Sequence, residues 1–108
     1  MIDITQLEEM FDGDKELIQA LFMAYLDDHV QAEKKVQEKV DTGDFEQLFF
    51  LSHTLCGTLN NLCESDITAN LKQLEEAARD GNLSSQEDLT KVLSELPKIE
   101  QQMNEYLA

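Results

Sequence analysis

His53 and Gly57 are the two residues whose types and spacing point to chemistry. The imidazole titrates near neutrality, and its unprotonated nitrogen is a nucleophile toward phosphorus. His53 is one of only two histidines in the chain. It lies in Phe49-Phe50-Leu51-Ser52-His53-Thr54-Leu55-Cys56-Gly57-Thr58-Leu59, which reads as the middle of a helix. On a helical wheel Phe45, Leu48, Ser52, Leu55, Leu59 and Leu62 share an arc about 100° wide, the width of a core-facing stripe. His53 falls about 140° from Leu48 and therefore points away from the core. Gly57 follows one turn later on the same face. A glycine inside a helix costs about 0.5–1 kcal/mol relative to alanine, and here it clears space over the imidazole for an approaching group. Phe49 and Phe50 would form an apolar rim, as docking surfaces often have, and Cys56, Gly57 and Asn60 are the other neighbours of His53 at helical spacing. The blander alternatives are a solvated surface histidine and a glycine that serves close helix packing.

Other chemistries find no support in the residues. There is no Gly-rich phosphate loop, no Gly-x-Ser-x-Gly elbow and no His-Glu-x-x-His zinc motif. Neither His29 nor His53 has a glutamate three residues before it, as di-iron bundles require. Cys56 and Cys63 would lie about 10 Å apart along one helix, too far for a disulfide, so both are expected as free thiols in a reducing compartment. His29 falls near an apolar stripe and reads as a boundary residue, not a metal ligand. No metal site and no cofactor of the chain's own is expected. A surface histidine alone cannot bind ATP, but it can accept and return a phosphoryl group when a partner supplies the aspartate and the metal.

The elements that must position His53 are helical throughout. The 108 residues suit one domain, 1–108, and they include one proline, four glycines and no alternating β run. A short first helix with Thr5 and Glu8 at capping-box spacing ends at Gly13. A long second helix is expected from about Asp14 to Asp41, capped by Asp14 and closed by Gly43. The third starts at Asp44, carries His53 and runs to about Leu62; a turn at Cys63-Glu64-Ser65 follows. The fourth spans about Asp66 to Asp80 and stops at Gly81-Asn82. The fifth, capped by Ser84 with Glu87, runs to Leu107, with Pro97 expected to kink or break it. Short loops between long helices favour antiparallel neighbours. The expected architecture is all-α: an antiparallel up-down-up-down four-helix bundle with a short N-terminal accessory helix.

The formal net charge is −15. A polyanion of this size is repelled by nucleic acid and by anionic membranes, and it suits a partner with a basic rim. No apolar run reaches the ~20 residues of a membrane span, and no secretory signal opens the chain. A cytoplasmic setting is expected, without direct membrane contact.

At His53-Thr54-Leu55-x-Gly57 the chain resembles histidine-containing phosphotransfer (HPt) domains, whose signature is His-x-Leu-Lys-Gly. The flanks are similar too. Gly43-Asp44-Phe45-Glu46-x-Leu48 precedes the signature helix, and Leu71-x-x-Leu74-Glu75-x-Ala77-Ala78-Arg79-x-Gly81 follows on the next. The spacing from Leu17 to Leu26 also matches, so the resemblance covers nearly the whole chain. It departs where the family's usual lysine is Cys56, where Leu59 replaces a small residue, and where Cys63-Glu64 replaces a typical Gly-Ala.

The resemblance implies that His53 is the phospho-accepting residue of a phosphorelay in two-component signalling. It would take the group from the phospho-aspartate of one receiver domain and pass it to another, with Phe49, Phe50, Cys56, Gly57, Asn60 and Asn61 as the expected docking face. Magnesium would come from the receiver, whether in a response regulator or a hybrid kinase. Such a carrier is a phosphotransfer intermediate without its own ATP-binding or catalytic domain, and a monomer is expected. It stands alone or sits at the C-terminus of a hybrid sensor kinase, as the cytoplasmic part of a membrane-bound protein. The alternative is a non-phosphorylated helical adaptor that docks a partner through Phe49 and Phe50.

Overall fold

A computed structural model describes residues 1–108. Six helices follow one another: α1 (Ile4–Met10), α2 (Lys15–His29), α3 (Ala32–Thr42), α4 (Phe45–Asn61), α5 (Thr68–Arg79) and α6 (Gln86–Leu107). There is no sheet; the one bridge pairs Ile2 with Glu64. The molecule measures 42 × 20 × 20 Å. Its core draws on every helix, with Leu7, Phe22, Val36, Leu55, Leu71 and Ile99 all fully buried. α4 packs most closely against α5; α6 packs against α2, α3 and α5.

Local signals explain most of the helix ends. Asp14 and Asp44 cap α2 and α4 by accepting from the backbone N–H groups of Leu17 and Gln47, each at 3.1 Å. Gly43 closes α3 at φ +67°, a left-handed conformation that glycine adopts without steric cost. Two caps fall one or two residues away from the expected position. Asp3, not Thr5, caps α1 by accepting from Gln6 at 3.0 Å. Ser85, not Ser84, caps α6 by accepting from Asp88 at 3.2 Å. Each is a choice between neighbouring capping side chains, which sequence spacing does not resolve.

The expected long second helix is two helices. α2 ends at His29, and Gln31 adopts φ +53°, costing about 1 kcal/mol for a residue with a Cβ. The reason is tertiary. α2 packs on α1 and α6, whereas α3 packs on α4 and α6, so the helix breaks between them and α3 buries Ala32 and Val36. Lys35 Nζ donates to the Asp28 carbonyl at 3.4 Å, satisfying one carbonyl left open by the break.

Pro97 leaves no break: α6 is continuous through it. Its ring lies on the exposed face, and burial of Val92, Leu96, Ile99 and Met103 on the other face holds the helix together. The Cys63-Glu64-Ser65 turn is more than a connector. Glu64 is fully buried, and its carboxylate accepts from the N–H groups of Asp66 at 2.8 Å and Ile67 at 3.1 Å. It therefore caps the start of α5, which begins two residues later than expected.

Candidate functional site

The wheel reading of α4 agrees with the side-chain positions. Leu48, Ser52, Leu55, Leu59 and Leu62 are buried, and Phe45 is half-buried. The His53 side chain is 67% exposed on the opposite face. Phe49, one turn earlier, stacks on the imidazole with ring centroids 6.0 Å apart and planes 15° from parallel. Phe50 meets Phe49 edge-on at 5.6 Å and is itself 54% exposed.

The partner of His53 comes from α5. His53 Nδ1–H donates to the Glu75 carboxylate, whose side chain is only 15% exposed. An ionised carboxylate only accepts, so in the neutral ring this contact selects the tautomer with its proton on Nδ1. Nε2 then carries the lone pair and has no hydrogen-bond partner within the chain. The arrangement is that of an oriented nucleophile: one nitrogen anchored, the other presented to solvent.

The antiparallel register of α4 and α5 builds the rest. A groove along their seam is lined by Phe49, His53, Cys56 and Gly57 from α4, and by Lys72, Glu75, Glu76 and Arg79 from α5. His53 faces Glu75. One turn toward the start of α4, Phe49 shares the groove with Arg79; one turn the other way, Cys56 shares it with Lys72. The Cys56 thiol is pushed up, first by burial and then by the Glu75 charge, while Lys72 pulls the other way. It is therefore a neutral thiol at physiological pH, and Cys56 Sγ donates to the Thr68 carbonyl at 3.4 Å. The cation nearest the cysteine comes from the neighbouring helix.

Gly57 has open space where a Cβ would stand: apart from its chain neighbours and the adjacent turns of α4 backbone, nothing lies within 4 Å of that point. Close helix packing within the chain therefore does not require the glycine. Its cost in helix stability is without internal compensation, which directs the explanation to something that approaches from outside.

Four of the six expected docking residues gather here. Phe49, Cys56 and Gly57 line the His53 groove, and Phe50 lines the apolar recess next to it with Phe45, Phe49 and Ala78. Asn60 is exposed two turns beyond His53 and lines neither cavity. Asn61 lies in a different recess, with Phe11, Leu21, Tyr25 and His29. Helical spacing placed Asn60 beside His53, and the family resemblance added Asn61; neither lines the His53 groove. Sequence reading assigned no role to Glu75, Lys72 or Arg79. The only signal available was their spacing of three and four residues on one helix face, which has no meaning until α5 is laid against α4.

His29 ends α2, half-buried, with its ring 5.1 Å from that of Tyr25. Burial lowers its pKa, Asp28 raises it, and Lys35 lowers it further. No three His, Cys, Asp or Glu side chains converge as a metal-ligand set. Both cysteines are free, and no helix is long and apolar enough to cross a membrane.

Comparison with known proteins yields no relative on which to lean: no family model matches the chain, and no curated protein or solved structure matches it significantly.

Proposed function

We propose that this chain is a phosphorelay carrier of the histidine-containing phosphotransfer type, and that His53 Nε2 is the atom that carries phosphate. The observation that supports this most is the His53–Glu75 pair beside the open space at Gly57. In the proposed fold, α2 and α3 together form one broken stave of an up-down-up-down four-helix bundle, α4, α5 and α6 are the other three, and α1 is the accessory helix.

The transfer step follows from the ring's orientation. The Nε2 lone pair attacks the phosphorus of a receiver's aspartyl phosphate. An N–P bond forms as the P–O bond to the aspartate breaks, and the electron pair leaves with the aspartate carboxylate. The ring gains positive charge in that step, and the Glu75 carboxylate against Nδ1 stabilises it. Lys72 offers positive charge to the phosphoryl oxygens, supplying from α5 what a lysine at position 56 would have supplied from α4. Transfer to a second receiver is the same step in reverse. The receiver provides the magnesium and the reacting aspartate; this chain provides the nucleophile and room for approach.

The competing adaptor reading draws on the exposure of Phe50, an apolar surface suited to docking with or without chemistry. One experiment separates the two. The chain and its His53→Gln variant are incubated with phosphorylated receiver domains and magnesium, and intact mass is recorded. An acid-labile gain of one phosphate in the wild type, absent from His53→Gln, is expected. A receiver panel that binds the wild type without ever phosphorylating it would sink the carrier reading and leave the adaptor.

A further inference from the structure

The groove that holds His53 does not end at Phe49. Phe49 and Arg79 also line a second cavity, completed by Phe45, Phe50, Ala78 and Glu46, at the end of the seam where α4 begins and α5 stops. The two cavities therefore adjoin at these two residues, and together they form a surface channel that follows α4 for about 18 Å from Phe45 to Gly57, at 1.5 Å per residue. Its two ends differ. Around His53 it is polar. At the Phe45 end it is a more apolar recess, lined by three phenylalanines and Ala78 beside Glu46, Arg79 and Gly81.

Arg79 stands where the two halves meet. It is exposed and forms no ion pair within the chain, unlike Lys39, Lys91 and Lys98. This matters on a chain with 23 acidic and 8 basic side chains. An acidic partner is repelled by most of this surface. At the channel, Lys72 and Arg79 offset Glu46 and Glu76, while Glu75 is engaged by His53. The channel is thus a nearly neutral window in an anionic molecule. Within it, Arg79 is the one free cation bordering the apolar recess, a planar donor suited to a carboxylate.

We propose that Arg79 is the docking anchor of this surface. The partner seats an apolar side chain in the recess between Phe45, Phe49, Phe50 and Ala78, and an adjacent carboxylate on the partner pairs with Arg79. That two-point contact fixes the register along the channel, so the partner's reacting group comes to rest one helical turn away, over His53. The fitting partner is a protein surface with an apolar residue beside an acidic one, and the basic rim suited to the rest of the chain lies outside this contact. The choice of receiver domains as partners rests on the carrier reading; the role of Arg79 rests on the channel.

The test uses the full chain and a panel of receiver domains loaded with magnesium and beryllofluoride, a stable mimic of the aspartyl phosphate. Arg79→Glu is compared with Lys15→Glu, which makes the same charge change at an exposed site on α2. Circular dichroism confirms that both remain helical. Arg79→Glu should weaken the dissociation constant at least 10-fold and flatten its salt dependence; Lys15→Glu should stay within 2-fold. A receiver variant with one contact carboxylate changed to lysine should restore binding to Arg79→Glu, a rescue that lost packing would not show. Separately, the wild type is treated with phosphoramidate, which transfers its phosphoryl group to the imidazole and releases ammonia without any receiver. If Arg79→Glu binds as well as Lys15→Glu, the anchor is overturned, and phosphoramidate loading still decides the carrier reading. If no receiver binds the wild type, the anchor is overturned as stated. If binding depends on Arg79 but His53 takes no phosphate, the anchor stands and the carrier reading falls.

Discussion

An exposed imidazole is common, and what distinguishes His53 is its fixed tautomer. Free neutral imidazole exchanges its proton between two nitrogens, so an unanchored ring presents the wrong one for part of the time. The Glu75 carboxylate on Nδ1 removes that ambiguity in the neutral ring and, in the proposed carrier, would offset the charge that develops as Nε2 takes up phosphate. Glu75→Ala should therefore slow phosphoramidate loading of His53 about 10-fold, within the range for orienting partners, and leave helicity intact. Glu75→Gln keeps an oxygen that can accept from Nδ1 and should fall between the two. Equal loading in all three proteins would show that the carboxylate does not set the reactivity of the ring.

At the scale of the element, α4 carries a burden it could have avoided. A mid-helix glycine lowers its stability, and the open space at Gly57 shows that nothing in the fold demands it. Gly57→Ala should stabilise the isolated chain by about 0.5–1 kcal/mol, an upward shift of about 4 °C in Tm for a domain of this size. A thermal melt measures this directly; a lowered Tm would mean that the alanine methyl meets resistance at this position. α4 otherwise accords with its sequence, its cap at Asp44 and its buried stripe lying where 3.6-residue spacing puts them. α2 and α3 did not, because the signals around residues 29–31 contain no glycine and no proline. The break at Gln31 is imposed by the different neighbours of the two helices, and side-chain pattern within the segment is silent on neighbours.

For the whole molecule, the groups that respond to mild acid are few beside the carboxylates. Burial holds the pKa of His29 below its ordinary value of 6.5, so the unfolded chain takes up a proton more readily than the fold does. His29 thus contributes stability that is fully present above about pH 6.5 and is lost as the pH falls toward its folded value. Acidification also relieves repulsion within a chain of net charge −15, which acts in the opposite direction. The informative quantity is the difference between wild type and His29→Gln. In urea titrations from pH 7.5 to 5.5 the wild type should lose stability relative to the variant, and parallel curves would remove His29 as the cause.

Hydrophobic spacing, capping residues and the glycine stops were enough to determine an all-helical chain, most of its helix ends, the buried stripe of α4 and the outward direction of His53. These are properties of one helix at a time, and 3.6-residue periodicity encodes them locally. Tertiary structure alone decided which helix lies across from His53, and with it Glu75, Lys72 and Arg79. Those residues are 19 to 26 positions away in the chain and share the groove of His53 only because α5 packs antiparallel against α4 in one register. The same packing left Asn60 and Asn61 outside the His53 groove, buried Glu64 as the cap of α5 and broke the helix at Gln31. Local sequence fixes what a helix presents; the register of its neighbour fixes what that face can do.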